Sequence, residues 1–268
     1  SGEYMPLNEI SVEEKGLWND YLDLFLPDLE YRKFVQKVLG HMLFGGNPSK
    51  KAIFLVGITH TGKSTLIHCV RGTLASYGAT FSPSAVFKDS GTGNNPELGN
   101  LLYKRGIFTS EAGSQRVYAN PLKRNSGGDE ISVTRKYSNA QIQGVPHFTM
   151  IIGTNNVPTI EDADEATMKR ILACPFDIQI SDENDDPNAD QELPKKVRNV
   201  VLNWLVDGYV MYIREGLARK DWHPWAVAKT QEFTAQFNDT ATFLNDAVFV
   251  APSDVKALFD KEPTTETD

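Results

Sequence analysis

The sequence Ala-Ile-Phe-Leu-Val-Gly-Ile-Thr-His-Thr-Gly-Lys-Ser-Thr occupies residues 52–65 and joins two kinds of pattern. Its first five residues form a continuous apolar run, which is typical of a strand buried on both faces of a parallel sheet. A glycine-rich turn follows at once, and helical periodicity returns over residues 64–75. The order of strand, turn and helix predicts an α/β fold with a mostly parallel sheet.

Residues 57–65 match the phosphate-binding P-loop pattern at every fixed position. In such a loop the backbone N–H groups and the helix N-terminus bind phosphates, and Lys63 adds positive charge beside the β- and γ-phosphates. The Ser64 hydroxyl is the candidate ligand for Mg²⁺. We therefore expect a purine nucleoside triphosphate with Mg²⁺; the alternative is a merely glycine-rich turn. The predicted nucleotide-binding residues are Gly57, Thr59, His60, Thr61, Gly62, Lys63, Ser64 and Thr65.

Hydrolysis needs further polar groups at the ends of neighbouring strands. Glu111 follows a strand pattern over residues 106–110 and is the candidate to hold Mg²⁺ and to orient or deprotonate the attacking water. Asn155 follows a second apolar strand pattern and fits a γ-phosphate sensor. Arg170 lies beside an apolar stretch and fits an arginine finger that completes a neighbouring subunit's site. The alternatives are a solvated Glu111, an Asn155 that forms the turn before Pro158, and a solvated Arg170.

Helical patterns precede the sheet region. Ser11 and Glu14 have the spacing of a capping box at the start of the first helix, and Pro27 ends that helix. A second helix follows and ends at the Gly45-Gly46 pair, because glycine adopts the left-handed conformation that closes helices. This predicts a small helical unit before the first strand.

The chain is predicted to contain three parts. Residues 1–48 form a helical collar or oligomerisation segment, and residues 49–180 form an AAA+-like P-loop ATPase core. Residues 181–268 comprise an acidic loop and a C-terminal helical subdomain, whose main helix is predicted over residues 197–213. The last residues, 261–268, lack apolar side chains and are predicted to be disordered.

The composition excludes several classes of protein. Hydrophobic residues make up 40% and charged residues 23%, and no apolar run reaches the roughly 18 residues that a membrane span requires. The net charge is −8, so any contact with nucleic acid must be local. The acidic stretch over residues 182–190 is predicted to be a solvated loop.

The cysteines indicate the redox environment of the protein, and the first residues indicate how the chain was produced. Cys69 and Cys174 lie far apart without metal-ligand spacing, which argues against a disulfide framework or a zinc site. A reducing, cytoplasmic setting fits this usage. The chain begins with Ser1-Gly2, without an initiator methionine or a signal segment, and we interpret these residues as a cleavage scar of a longer protein.

The order of features along the chain is distinctive. The P-loop and the acid-ended strand are followed by Lys-Arg-Asn-Ser-Gly-Gly-Asp-Glu-Ile-Ser-Val-Thr-Arg-Lys-Tyr at residues 123–137 and by Thr-Asn-Asn-Val-Pro at residues 154–158. Lys169-Arg170 and Pro175-Phe176 come next. This order resembles the superfamily 3 helicases, and most closely the phage and poxvirus branch in which the helicase is fused to a primase or primase-polymerase. The Gly-Gly-Asp segment is a narrower signature than the P-loop.

The resemblance implies an AAA+-like domain that forms a hexameric ring around single-stranded DNA. It implies that Lys63 and Ser64 are the Walker A residues, Glu111 the Walker B acid, Asn155 the sensor and Arg170 the finger acting in trans. A primase or primase-polymerase domain is expected upstream in the same protein. Many members of the family have two adjacent acids at the end of the Walker B strand, whereas here Ser110 precedes a single Glu111.

The resemblance also implies that a hairpin within residues 123–147 projects DNA-binding residues into the ring. Residues 101–150 contain seven basic and three acidic residues, which is a local basic region in an acidic chain. Its side chains would contact the phosphate backbone without regard to sequence. The alternative is an ordinary solvated basic face. The candidates are Lys123, Arg124, Arg135 and Lys136, with Tyr137 as a stacking platform.

The resemblance implies an ATP-dependent DNA helicase motor of a viral or phage replication protein, which moves along single-stranded DNA as a ring. Two alternatives stay open at this point. A P-loop phosphotransferase, such as a nucleoside or metabolite kinase, would explain the P-loop but not the Gly-Gly-Asp segment or the basic region. A slow-cycling DNA-binding module that assembles on binding ATP would explain both features without rapid turnover.

Overall fold

A five-stranded parallel sheet forms the centre of the molecule, with helices on both faces. The computed structural model describes residues 4–87, 95–110, 117–134, 141–156, 158, 160–181, 186 and 188–235. The strands are β1 Ala52–Val56, β2 Gly78–Thr80, β3 Gly106–Thr109, β4 Val117–Tyr118, β5 Ile131–Thr134, β6 Gln141–Gly144, β7 Thr149–Thr154, β8 Ile160–Glu161 and β9 Ile171–Pro175. The helices are α1 Val12–Phe25, α2 Leu29–Gly40, α3 Lys63–Leu74, α4 Pro83–Phe87, α5 Pro96–Leu101, α6 Ala119–Ser126, α7 Glu165–Met168, α8 Ala189–Lys196, α9 Arg198–Glu215 and α10 Pro224–Ala235. None of these described helices combines the length and apolar composition that crossing a bilayer requires.

The strand order in the central sheet is β2-β3-β7-β1-β9, and neighbouring strands run parallel. β1 lies between β7 and β9, and every residue of β1 is buried. The register pairs Val56 with Thr154 on one side and with Pro175 on the other, so the three strands end at the same edge. The predicted α/β fold with a mostly parallel sheet is confirmed.

Alternate residues of β1 contribute to two separate hydrophobic cores. Ile53 and Leu55 belong to the core that includes buried residues of α1, α2, α3 and α9. Phe54 belongs to the opposite core, where its ring lies 4.7 Å from the ring of Phe233 in α10. Burial on both faces explains why β1 is a continuous apolar run in the sequence.

Several boundaries differ from those predicted. The second helix ends at Gly40, and a 3-10 turn over His41–Phe44 leads to Gly45, whose φ is 78°. β9 and α10 are elements that the sequence pattern does not predict. β5, which lies within the motif over residues 123–137, is described only as far as Thr134, and the predicted disordered tail lies outside the described residues.

Two side chains at the start of α1 cap helices: Ser11 caps α1 itself, as predicted, and Glu14 caps α9. Ser11 Oγ accepts a hydrogen bond from Glu14 N at 3.1 Å, as the capping-box spacing predicts. The Glu14 carboxylate extends to α9, where it accepts hydrogen bonds from Asn199 N at 2.7 Å and Val200 N at 2.9 Å. These amides lie in the first turn of α9, which has no intrahelical acceptors for them. A side chain of α1 thus caps α9.

Replacing Glu14 with alanine is expected to lower the free energy of unfolding by about 1 to 2 kcal/mol, because two amides lose a charged acceptor. Urea denaturation would measure this change. Glu13→Ala is the matched control, since Glu13 is exposed in the same turn, and it should cost less than about 0.5 kcal/mol. Equal losses in both variants would contradict the capping role of Glu14.

Candidate functional site

Residues 57–62, called the glycine loop below, connect the carboxyl end of β1 to α3. Gly57 N donates to Thr154 O at 3.2 Å, which holds the start of the loop against the end of β7. Two loop residues have positive φ, His60 at 60° and Gly62 at 77°. The chain turns sharply there into the first turn of α3, whose amides have no acceptors within the helix.

The two fixed glycines of the loop are required by close packing. A Cβ atom at Gly57 would lie 2.1 Å from Phe176 O, just after β9. A Cβ atom at Gly62 would lie 2.7 Å from ring atoms of Phe25 in α1, and the positive φ of Gly62 also disfavours a side chain. The glycines therefore let the chain after β9 and the end of α1 approach the loop.

Lys63 is the first residue of α3, and it is only 5% exposed. Its ammonium donates to Ile58 O at 2.5 Å and to Thr61 Oγ1 at 2.8 Å. Both acceptors are neutral, and no carboxylate pairs with Lys63 in the described part of the chain. Burial without a counter-charge lowers the pKa of Lys63 to about 8. The site is therefore suited to an anion, which would compensate this charge.

The other loop residues differ in exposure. Thr59 and His60 are exposed, and Ser64 is half-buried in the first turn of α3. Thr61 is buried, and its hydroxyl donates to Ile58 O at 2.9 Å. The exposed side of the loop is thus formed by residues 58–60, while Thr61 and Lys63 support it from within.

Helix α1 packs directly against the glycine loop. The Tyr21 hydroxyl donates to Gly62 O at 3.0 Å, and the Tyr21 ring stacks on Trp18 with centroids 5.1 Å apart. Burial raises the pKa of Tyr21 well above its ordinary value, so the hydroxyl keeps its proton and remains a donor. The sequence predicted α1 only as a helix in the collar, and nothing in its periodicity indicated a contact with the loop.

Asp190 contacts the helix that follows the loop. Its carboxylate accepts a hydrogen bond from Thr65 Oγ1 and lies 3.9 Å from His68 Nδ1. Asp190 belongs to α8, which packs on α3. The prediction of a solvated loop over residues 182–190 is therefore wrong at its end, because packing against α3 holds Ala189 and Asp190 in a helix.

Asn155 lies beside the glycine loop. It follows β7 directly and lines a cavity of about 290 Å³ together with Gly57 of the loop. Helix α10 supplies Lys229 and Glu232 to the same cavity, and these two side chains form an ion pair at 2.8 Å. The structure thus brings Asn155 to the loop and adds two polar groups that the sequence analysis missed.

Glu111 lies outside the described residues, and only the strand that precedes it is described. β3 ends at Thr109, which pairs with Ile152 of β7, and Ser110 follows. Because β7 lies between β3 and β1, the carboxyl end of β3 is at the same edge as the glycine loop, one strand further away. The role of Glu111 stays a prediction.

Arg170 lies at the opposite edge of the sheet from the glycine loop. It directly precedes β9, and its carbonyl accepts a hydrogen bond from Ala52 N at 2.8 Å. Arg170 Nη1 donates to Ala166 O at 2.8 Å, whereas its Nε is buried without a partner in the described part of the chain. Burial, together with the nearby charges of Arg219 and Arg170, lowers the pKa of Lys51 to about 8. Arg170 is thus part of a group of cations remote from the loop of its own chain.

The predicted DNA-binding residues fall into two groups. Lys123 in α6 forms an ion pair with Asp164 at 2.8 Å, which holds the pKa of Asp164 well below its usual range, while Arg124 is exposed. The other three lie outside the described residues: Arg135, Lys136 and Tyr137. Along the chain these three lie between β5 and β6, which form an antiparallel pair.

A protein-family model described as "Family of unknown function (DUF5906)" matches residues 55–170. The matched segment contains the glycine loop, Asn155 and Arg170, together with the strands β3 and β7. It leaves α1, α2, α9 and α10 outside. The family match therefore coincides with the segment that contains all the predicted site residues.

The chain is also similar to proteins of several viruses. It is 27% identical over 183 residues to a protein of Acanthamoeba polyphaga mimivirus that carries the provisional name helicase L207/L206. It is 25% identical over 181 residues to "Primase D5" of Fowlpox virus and 26% identical over 175 residues to "Uncoating factor OPG117" of Vaccinia virus. These alignments cover 63 to 65% of this chain but only 18 to 22% of the relatives. The chain thus spans about a fifth of their length.

Among solved structures, the fold is similar to the C-terminal region of NrS-1. The A-form apo structure of that region superposes with a TM-score of 0.56 at 17% sequence identity, and it covers 97% of this chain and 59% of the other. A second apo structure, of residues 305–718 of NrS-1, gives a TM-score of 0.54 at 16% identity. At this identity the similarity establishes the fold alone.

Proposed function

We propose that this chain is the ATPase motor of a viral or phage replication helicase, and that it moves along single-stranded DNA as a ring of the superfamily 3 type. Two viral relatives carry names that include helicase or primase. The fold is similar to that of the NrS-1 C-terminal region along nearly the whole chain. These similarities support a replication-associated, helicase-type function. The arrangement of the glycine loop and Lys63 supports the binding of ATP.

The observation that carries the proposal is the buried, uncompensated charge of Lys63. A lysine at a helix N-terminus, held by two neutral oxygens behind a glycine loop, fits the β- and γ-phosphates of ATP. The amides of the glycine loop and the Lys63 ammonium would hold the phosphates, and Ser64 with Glu111 would hold Mg²⁺. When bound, Mg²⁺ supplies charge neutralisation at the β- and γ-phosphate oxygens.

Hydrolysis on this proposal is in-line attack of water on the γ-phosphorus, which breaks the bond to the β,γ-bridging oxygen and releases ADP and phosphate. Glu111 orients the water or accepts its proton, and Asn155 contacts the γ-phosphate from the end of β7. Lys63 stabilises the charge that develops on the phosphate oxygens, and Arg170 of a neighbouring subunit approaches from the other side. Support for Asn155 comes from its position in the cavity beside Gly57.

The basic region is proposed to bind DNA inside the ring. The chain between β5 and β6 would present Arg135, Lys136 and Tyr137 to the phosphate backbone and bases. Arg124, which is exposed, is better suited to such contact than Lys123, whose charge is paired with Asp164. In the same proposal, a primase or primase-polymerase domain is covalently linked upstream of this chain.

Steady-state ATP hydrolysis, measured with and without single-stranded DNA over a range of protein concentrations, tests this function. We expect turnover that rises cooperatively with protein concentration, because the finger comes from a neighbour. We also expect stimulation by DNA of any sequence that weakens as salt increases.

The other outcomes separate the remaining candidates. Turnover that is independent of both DNA and protein concentration would overturn the helicase proposal in favour of a phosphotransferase. ATP-dependent assembly with negligible turnover, in a chain that also binds DNA, would identify the slow-cycling module instead.

A further inference from the structure

A second cavity, of about 360 Å³, lies next to the cavity that contains Asn155 and has no role in the chemistry described above. It shares Asp177, Lys229 and Glu232 with the cavity that contains Asn155. Phe25, which packs against Gly62, also lines it. The two cavities therefore meet at three shared residues; loop residues line the first, and Phe25 connects the second to Gly62.

The walls of the second cavity are mainly apolar and aromatic. The turn between α1 and α2 contributes Leu26 and Pro27, and the chain after β9 contributes Ile178. The charged residues that line it are Asp28 and the three residues shared with the first cavity. An apolar slot with a few polar groups at one side is typical of a site for a flat organic group.

Trp225 of α10 forms one side of this cavity and is 50% exposed. Its ring packs against that of Tyr31, which also lines the cavity, at 5.1 Å with an interplanar angle of 57°, and against that of His223 at 5.1 Å and 76°. Tyr31 is itself fixed, because it is buried and its hydroxyl donates to Pro175 O at 2.8 Å. A supported indole with a free surface, facing a cavity, is a platform on which another ring can stack.

We propose that this cavity binds the purine base of the nucleotide whose phosphates bind at the glycine loop, with the base stacked on Trp225. The inference rests on the proposed nucleotide binding and adds the residue that recognises the base. Phosphates held at Lys63 leave the sugar and base to extend toward an adjoining cavity, and this cavity shares residues with the phosphate side. A purine is favoured over a pyrimidine because its two fused rings cover more of the indole.

Calorimetric titration of the 268-residue chain with ATP, CTP and inorganic tripolyphosphate tests the proposal. The wild-type chain should bind ATP about tenfold or more tightly than CTP or tripolyphosphate. Trp225→Ala should weaken ATP binding by about tenfold and abolish the preference over CTP, since stacking on the indole is lost. Binding of tripolyphosphate should not change, because it has no base. Trp225→Phe should retain most of the affinity for ATP.

Tyr103→Ala is the matched control, because Tyr103 is a similarly exposed aromatic residue, 53% exposed, that packs on a histidine away from the loop. It should leave all three affinities unchanged. Equal affinity of the wild-type chain for ATP and tripolyphosphate would overturn the base site while leaving the phosphate site intact. If Trp225→Ala instead weakened the affinities for ATP and tripolyphosphate equally, that result would likewise overturn the base site, because Trp225 would then maintain the conformation of the loop and not contact the base. Absence of binding by all three ligands would overturn the proposed function and the base site together.

Discussion

Lys63→Met is expected to lower ATP turnover by about a hundredfold to a thousandfold, while the free energy of unfolding stays unchanged or rises. Methionine has a similar length and keeps the packing of the buried side chain, but it removes the charge that faces the γ-phosphate. Phosphate release at saturating ATP would measure the first effect, and urea denaturation the second.

The free energy of unfolding is expected not to fall in Lys63→Met, and the reason is the lowered pKa of Lys63. Burial lowers this pKa to about 8 in the folded chain, against an ordinary value of 10.5. Near pH 7 the ammonium is charged in both states, and the folded state carries the cost of burying it. That cost is relieved as the pH rises from about 8 toward 10.5, because the folded chain releases the proton before the unfolded chain does. In the methionine variant this pH dependence should be absent.

Lys33→Met is the matched control, because Lys33 is an exposed lysine that pairs with Glu30 at 2.8 Å on the outer face of α2. It should alter neither turnover nor stability by a measurable amount. If Lys63→Met retained normal turnover, Lys63 would have no role in the reaction. A variant that lost its fold would show instead that Lys63 acts as a structural residue.

The part of the site that lies within one short segment was predictable from the sequence. Residues 52–65 specify a buried strand, a glycine turn and a helix by composition and spacing alone, and the structure has β1, the glycine loop and α3 in these positions. Asn155 was found in the same way, because it follows an apolar run long enough to be a strand. In parallel sheets the ends of such runs meet at one edge.

The partners of the loop could not be predicted, because they come from distant parts of the chain. Tyr21 contacts Gly62 across 41 positions, and Asp190 contacts Thr65 across 125 positions. These contacts depend on how α1 and α8 pack against α3, and local periodicity does not specify that packing. Trp225 and Lys229 were missed for the same reason, since the packing of α10 on β9 brings them close to the loop.

β9 was missed for a different reason. Ile171–Pro175 is a run of five buried residues that ends in proline, and it lacks the glycine turn and following helix pattern that mark β1 as a strand. Periodicity alone does not separate such a run from a buried piece of helix. The consequence for function is large, because the position of β9 determines where Arg170 lies.

Arg170 is expected to act on a neighbouring subunit's site, and two inactive variants should therefore restore each other. Arg170 precedes β9 and the glycine loop follows β1, and these parallel strands are in register from Ala52–Ile171 to Val56–Pro175. The arginine is thus separated from the loop of its own chain by the length of a five-residue strand, about 16 Å. Arg170→Ala alone should lose about a thousandfold or more in turnover, as expected for an arginine finger.

Mixing Arg170→Ala with Lys63→Met in equal amounts should restore turnover to about a quarter of the wild-type value in a ring of head-to-tail subunits. An active interface needs a chain with intact Lys63 beside a chain with intact Arg170, and random mixing places these together at one interface in about four. The double variant, Lys63→Met with Arg170→Ala, is the control, since adding it to either single variant cannot create an intact interface. Light scattering of the mixtures would establish that the chains assemble together. Co-assembly without any recovery of turnover would contradict a finger supplied in trans, because the strand register already keeps Arg170 away from the site of its own chain.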